Sequence, residues 1–110
     1  MPAEAANKRT SQRYDLRVDV EYTIAGAKRE ATSRNVSLGG LFVDSPDRLI
    51  LGERLTVRFR VPTQKDAIEV GAVVRWTDSL GFGVQFDGLR ARDVWALGKY
   101  FEHKQPLAQP

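Results

Sequence analysis

Apolar and polar side chains alternate along LRVDVEYTI, residues 16–24. The apolar members are Leu16, Val18, Val20, Tyr22 and Ile24, and the polar members are Arg17, Asp19, Glu21 and Thr23. A period of two places successive side chains on opposite faces of an extended chain. The stretch therefore predicts a β-strand with one buried face.

Further segments downstream show the same alternation or a short apolar run, and turn residues such as Gly26, Pro46 and Pro62 separate them. The predicted strands after the first cover residues 28–35, 41–43, 55–61, 68–76 and 82–86. From about Leu89 the period changes, and Val94, Leu97, Gly98 and Phe101 follow the spacing of one helix face. Short strands with regular turn signals favour an antiparallel barrel. We therefore predict a mainly β fold, a six-stranded antiparallel barrel with a C-terminal α-helix.

Residues 9–103 form the predicted domain, between flexible segments at 1–8 and 104–110. The aromatic side chains are predicted to belong mainly to its core. Those at or beside the core positions of the strands are Phe42, Phe59, Trp76, Phe82 and Phe86. Trp95 and Tyr100 flank the apolar face of the helix and are expected to pack at its edges or to stay partly exposed.

The composition excludes several classes of function. The 110 residues include no cysteine and one histidine, which rules out a disulfide framework and a cysteine zinc site and leaves little material for nucleophilic catalysis. The net charge of +3 is mild for a dedicated nucleic-acid binder. No apolar run approaches the ~18 residues of a membrane span, and the first residues do not read as a signal peptide. We expect a cytoplasmic protein without membrane insertion, and not an enzyme.

Two clusters break the strand pattern. KRTSQR, residues 8–13, precedes the first strand, and NVSLGG, residues 35–40, lies between the second and third strands. Taken singly, the first reads as a solvated basic arm and the second as a turn in which Asn and Ser bond their own backbone.

Taken together, the two clusters resemble the signature of the PilZ family. Arg9-x-x-x-Arg13 is followed by Asn35-x-Ser37-x-x-Gly40, in the order and at about the distance found in that family. The segments VVRW (73–76) and GFGVQF (81–86) also look like its last two strands, so that the resemblance runs from about Lys8 to Phe101. It implies a six-stranded barrel with a C-terminal helix that binds the bacterial second messenger cyclic di-GMP.

The resemblance also implies roles for single residues. Arg9 and Arg13 would bind a guanine edge or a phosphate, since a guanidinium matches the N7 and O6 acceptors of guanine as well as phosphate oxygens. Asn35 and Ser37 would face the other guanine edge, and Gly40 would let the backbone turn and leave room for the ligand. The family pattern allows Asn or Asp at position 35, so binding is expected to survive with Asn35. An Asp would accept with full charge, so binding with Asn35 is expected to be weaker.

Three basic residues leave alternatives open. Lys8 and Arg34 could each reach a phosphate, and a solvated surface role competes for both. Arg13-x-x-x-Arg17 is a second reading of the arginine motif. Because Arg17 falls on the polar face of the first predicted strand, the pair Arg9 and Arg13 is preferred.

No cofactor is implied beyond the ligand itself. A single binding domain must act on something else, so we expect an adaptor that presents a ligand-dependent surface to a protein partner. The alternative is a PilZ-like interaction module that binds no nucleotide. A small β-barrel nucleic-acid binder is a third possibility, disfavoured because the aromatic residues follow core positions and not an exposed platform.

Overall fold

The computed structural model of the chain describes residues 12–107, which form one antiparallel sheet followed by a helix. The mainly β prediction is confirmed. The elements are β1 (Tyr14–Asp15), β2 (Asp19–Ile24), β3 (Ala27–Val36), β4 (Gly40–Asp44), β5 (Arg54–Phe59), β6 (Ile68–Thr77), β7 (Gly81–Phe86) and α1 (Ala91–Glu102).

Six of the strands close into a barrel. Their order around it is β3-β2-β5-β6-β7-β4, and β4 pairs back with β3. The six-stranded antiparallel barrel is therefore confirmed. The additional strand β1 pairs Tyr14 with Val36 and Asp15 with Asn35 of β3. Two residues are too few to show an alternation, which is why the sequence pattern missed this strand.

A tight turn fixes the register of β2 against β3. Ala25 and Gly26 have φ values of 51° and 81°, and Ile24 pairs with Ala27 across them. Positive φ at both central residues is the type I′ geometry, whose twist suits a two-residue hairpin. The turn therefore aligns Val20 and Tyr22 with the inner face of the barrel, where both are buried.

The barrel interior holds the inward members of each alternating strand. Phe59, Phe82 and Phe86 lie in this core, as predicted. The hydroxyl of Tyr22 bonds Ser45, at 2.8 Å, and Asp47 at one end of the barrel. Burial, together with the bond to Asp47, raises the pKa of Tyr22 to about 12.

Two of the aromatic residues at or beside the core positions of the strands lie on the outer face of the barrel. Phe42 is buried there, whereas Trp76 keeps 37% of its surface exposed. The interior prediction for Trp76 is wrong because β6 carries a bulge between Val74 and Trp76, which ends the strict alternation.

The face that the helix packs on the barrel only partly matches the apolar spacing in the sequence, since Leu97 is buried and Phe101 packs against the core. Asp93, Ala96, Leu97 and Tyr100 are buried, whereas Val94 is 42% exposed and Trp95 60% exposed. Next to exposed Val94, buried Asp93 takes the inward position, held by Arg90 at 3.1 Å and Gln64 at 3.2 Å. Within residues 12–107, no helix is both long and apolar enough to cross a membrane.

The segment around β1 packs on the C-terminal end of the helix. Tyr14 stacks on Phe101 with ring centroids 3.9 Å apart, and the Tyr100 hydroxyl donates to the Asp15 carbonyl at 2.6 Å. The segment before the first long strand is therefore tied to the helix as well as to β3.

Candidate ligand-binding site

The candidate site is a row of four residues across the outer face of the barrel. Asn35 on β3 lies opposite Phe42 on β4, Phe42 opposite Gly83 on β7, and Gly83 opposite Trp76 on β6. The row therefore presents an amide at one end and an indole at the other. We call these four residues the outer row.

A β-bulge places Asn35 in this row. Ser33 pairs with Val43 and Asn35 with Phe42, so Arg34 is an extra residue on β3. By simple alternation Asn35 would share the inward parity of Ser33, which is buried. The bulge re-aims Asn35 outward, as bulges commonly do beside functional sites.

A second bulge places Trp76 at the other end of the row. Val74 pairs with Val84 and Trp76 with Gly83, so Arg75 is the extra residue on β6. The indole lies directly over Gly83, where a Cβ atom would collide with the ring. Gly83 thus leaves the space in which Trp76 lies across β7.

Arg13 spans the two ends of the outer row. Its Nη1 donates to Asn35 Oδ1 at 3.0 Å, and its Cζ lies 4.9 Å from the Trp76 ring centroid. Burial lowers the pKa of Arg13 from its usual value. The backbone is held as well, because the Leu107 amide donates to the Arg13 carbonyl at 2.7 Å. Arg13, the second arginine of its motif, therefore contacts Asn35, the first residue of the Asn-x-Ser-x-x-Gly motif.

The other two residues from the basic cluster cannot be placed. Lys8 and Arg9 lie outside the described residues, and their roles stay predictions. Arg17, the alternative second arginine, lies between β1 and β2 with 61% of its side chain exposed and its Nη1 3.5 Å from Asp44. Of Arg13 and Arg17, it is Arg13 that reaches the Asn35 motif.

Ser37 lies beneath the surface of the turn before β4. It is buried, and its Oγ accepts hydrogen bonds from the amides of Gly39 and Gly40, each at 3.1 Å. This hydroxyl oxygen is therefore engaged by the turn itself. Its arrangement supports a role in shaping the backbone beside Asn35.

Gly40 is needed for close packing more than for a turn. It begins β4, and a Cβ atom there would collide with the Val84 carbonyl on β7. Its backbone amide also bonds Ser37. The neighbouring strand fills the space that Gly40 leaves, so its expected role in leaving room for the ligand stays a prediction. Among the described glycines, positive φ values occur at Gly26 and Gly52.

Arg34 has a role that neither sequence interpretation included. Its guanidinium lies 3.8 Å above the centre of the Phe42 ring and binds two carboxylates. Nε donates to Asp44 at 2.8 Å, and Nη1 to Asp78 at 3.2 Å. Burial opposes its charge, but the hydrogen bonds to Asp78 and Asp44 outweigh that effect and raise the pKa of Arg34.

The outer row can in principle hold a flat heteroaromatic group. A base stacked on Trp76 or Arg13 gains dispersion and cation–π attraction, and the Asn35 amide offers an acceptor oxygen beside it. Sequence reasoning missed Trp76 and Phe42 as outer-face residues. The glycine at position 83 was a signal, but only the bulge reveals that it faces the tryptophan.

Comparison with known proteins identifies the family. The family model for the PilZ domain matches residues 7–103, and the chain belongs to the PilZ family. The resemblance noted in the sequence is thus confirmed. Members of this family are regulatory receptors, and no catalytic family is indicated.

Solved structures show the same fold. One is the Bacillus subtilis inhibitor of motility, MotI/DgrA, at a TM-score of 0.67 and 24% identity, covering 86% of this chain and 52% of that one. Another is the Borreliella burgdorferi PlzA protein in complex with c-di-GMP, at a TM-score of 0.66 and 16% identity, covering 91% of this chain and 43% of that one. The chain thus spans about half the length of these proteins. A search of the curated proteins finds no match.

Proposed function

We propose that this domain is a receptor for cyclic di-GMP and that it passes the signal to a protein partner. The observation that carries the proposal is the placement of Arg13 between Asn35 and Trp76 on the outer face of the barrel. It brings one residue from each half of the family signature to one surface. The c-di-GMP complex of PlzA, which shares the fold, supports the same ligand class.

The chemistry of the site suits a guanine dinucleotide. Arg13 bonds a neutral amide here, so a phosphate or a guanine edge offers it a stronger, charge-assisted or bidentate bond. An approaching anion also offsets the desolvation that lowers the pKa of Arg13. Once Arg13 moves to the ligand, Asn35 Oδ1 is free to accept from the guanine N–H groups, and the Trp76 face is free to stack a base.

The remaining predicted residues act around this centre. Arg9 is proposed to supply the second guanidinium and Lys8 a further charge for phosphate. Ser37 and Gly40 hold the turn that carries Asn35. Arg34 packs on Phe42 and stabilises that side of the outer row. Because its guanidinium already binds two carboxylates, it is not proposed to bind the ligand.

The route to a partner is proposed to run through the helix. Tyr14 and Asp15, next to Arg13, contact Phe101 and Tyr100, and the Arg13 carbonyl holds Leu107. A shift of Arg13 on ligand binding would therefore change the contacts that this segment makes with the C-terminal end of α1. The exposed side chains Val94 and Trp95 lie on this helix and form an apolar surface that a partner could contact. The cytoplasmic location expected from the sequence stays a prediction.

The test is isothermal titration calorimetry with cyclic di-GMP, with GTP and cyclic di-AMP as ligand controls. We expect selective binding to the native chain. Arg13→Ala should weaken it about 100-fold, because a hydrogen bond to a charged group contributes about 1.5–3 kcal/mol. Arg9→Ala should weaken binding as well. Arg17→Ala is the matched control, since it removes the arginine of the alternative motif and should leave affinity unchanged.

No binding by folded protein would overturn the receptor proposal. The domain would then be a PilZ fold that works as a nucleotide-independent interaction module. Equal losses in Arg13→Ala and Arg17→Ala would indicate general electrostatic attraction in place of the proposed site.

A further inference from the structure

Strand β3 extends beyond the neighbour that closes the barrel. It runs over Ala27–Val36, but its pairing with β4 begins only at Thr32. On its other side it pairs with β2 through Ala27. Residues 27–31 therefore form an edge that is open on the β4 side, and we call them the β3 edge.

Two residues direct their backbone groups toward this open side. Ile24 and Ala27 flank a two-residue turn and form a hydrogen-bonded pair, so alternate β3 residues from Ala27 onward face β2. The Ser33 amide, which has the same parity, donates to Val18 at 2.9 Å. Lys28 and Glu30 have the opposite parity and present two N–H and two C=O groups to the open side.

There is room for another strand along this edge. After Asp44 the chain leaves β3, and the Ser45 amide donates to the Leu80 carbonyl at 3.0 Å. A cavity of about 450 Å³ lies between the β3 edge and the segment after β4. It is lined by Glu21, Lys28, Arg29, Glu30, Ser45, Pro46 and Asp47.

On the outer face at this edge, one acidic side chain lacks a cationic partner. Glu69, Arg58 and Glu21 lie opposite one another on β6, β5 and β2, with alternating sign. The next residue in the row is Glu30 on β3, directly opposite Glu21. Like charges directly opposite are unfavourable. Lys28 Nζ lies 3.9 Å from Glu21, and among residues 12–107 no cation lies within ion-pair distance of Glu30.

We propose that the β3 edge pairs with the same edge of a second copy of this chain. In an antiparallel arrangement centred on Arg29, Lys28 faces Glu30 of the second copy and Glu30 faces its Lys28. Four backbone hydrogen bonds form, because the open groups of each residue meet those of the other. The two Lys–Glu pairs supply the cation that Glu30 lacks, and the interface is self-complementary, as a twofold dimer requires.

The remaining residues of the edge are compatible with this pairing. Ala27 and Ala31 face each other at the ends and are small. Arg29 lies opposite its own copy, but Asp47 is 3.8 Å from its Nε and offsets the charge in each subunit. The overlap is only five residues long, so the dimer should dissociate on dilution.

The experiment is sedimentation velocity of the unliganded chain over an about hundredfold range of concentration, where mass action makes a weak dimer visible. We expect a monomer–dimer equilibrium. Lys28→Glu and Glu30→Lys should each weaken dimerisation at least about tenfold, because each places two like-charge pairs across the interface. The double variant Lys28→Glu, Glu30→Lys should recover most of the association, since it exchanges the two charges and keeps the complementarity.

Lys65→Glu is the matched control, because it makes the same charge change in the exposed β5–β6 loop and should leave dimerisation unchanged. Far-ultraviolet circular dichroism and thermal melting verify that each variant is folded. A chain that stays monomeric throughout would overturn the proposal and leave the edge to a strand from a different protein. A dimer indifferent to both single variants, or not recovered by the double variant, would equally overturn it.

Discussion

Arg13 and Arg34 are the same kind of residue in nearly the same place, yet their surroundings differ. Both guanidinium groups lie over aromatic rings on the outer face, Arg13 over Trp76 and Arg34 over Phe42. Arg34 binds two carboxylates, and its pKa is raised. Arg13 bonds the neutral amide of Asn35, and burial lowers its pKa.

The counter-charge therefore separates a structural arginine from one that is available to a ligand. A guanidinium already matched by Asp44 and Asp78 gains little from another anion. One that is partly desolvated beside a neutral amide gains a charged partner it does not yet have. Proximity to the signature motif alone would have ranked the two arginines alike.

The largest expected effect on stability comes from replacing Arg34. Arg34→Ala should lower the free energy of unfolding by about 1–2 kcal/mol, because it removes the stack on Phe42 and the ion pairs of Asp44 and Asp78, which are partly solvated. Urea denaturation measures the change. Arg54→Ala, which removes a more exposed ion pair with Asp87, is the control and should cost less than about 0.5 kcal/mol.

The converse holds for ligand binding. Arg13→Ala should lower the free energy of unfolding by less than Arg34→Ala does, because it removes one hydrogen bond to a neutral amide and no ion pair, while cyclic di-GMP binding weakens about 100-fold. If Arg13→Ala were the more destabilising of the two substitutions, the division of roles between the two arginines would be wrong.

A second prediction concerns the aromatic partner of Arg13. Trp76→Ala should weaken cyclic di-GMP binding about tenfold, since a base stacked on an aromatic ring is worth about 1–3 kcal/mol. Trp76→Phe should lose less. Gly83→Ala gives an independent check, because it keeps the indole but displaces it from β7. Calorimetric affinities unchanged in both Trp76→Ala and Gly83→Ala would exclude the ring from the site.

A third prediction concerns Asn35, the neutral hydrogen-bond partner of Arg13. Asn35→Asp should strengthen cyclic di-GMP binding by roughly threefold to tenfold, because a carboxylate accepts more strongly from the guanine N–H groups. A carboxylate also binds Arg13 in the free domain, so the gain should remain modest. Weaker binding by this variant would show that one carboxylate is enough to turn Arg13 into a structural residue like Arg34.

The smallest expected effect is the loss at low pH of the stability that Asp78 contributes. Hydrogen bonds from Arg34 and from the amides of Leu80 and Gly81 hold the pKa of Asp78 below its usual 3.8. A depressed carboxyl pKa stabilises the fold above pH 3.8, and that contribution is lost as the pH falls through the lower folded value. NMR titration of the Asp78 carboxyl should show its pKa rising toward 3.8 in Arg34→Ala. An unchanged pKa of Asp78 in this variant would mean that the backbone amides, and not Arg34, lower that pKa.

Much of the fold could be predicted from the sequence. The alternation around Val20 and Tyr22 indicated the first long strand, and similar patterns indicated the other five because each has one face toward the core. The two motifs identified the family and assigned Arg13 and Asn35 to one ligand site. In the structure these two residues, 22 positions apart, are hydrogen-bonded.

The errors arose where alternation stops. Trp76 was placed inside because a strict period of two carries it inward from Val74. The helix face was assigned from the apolar residues, whereas the inward position near its start belongs to Asp93, a charged residue held by Arg90 and Gln64. Neither bulge has a local sequence signal, because each depends on how two strands pair.

The barrel, its family and the residues of the two motifs could be predicted from the sequence, since they follow from local periodicity and from motif spacing. Which side chains share a surface depends on how the strands pair. One-residue bulges at Arg34 and Arg75 turn Asn35 and Trp76 outward, and the carboxylates of Asp44 and Asp78 come from strand ends and turns distant in sequence. The physical reason is that register and charge pairing arise between strands, so no single strand encodes them.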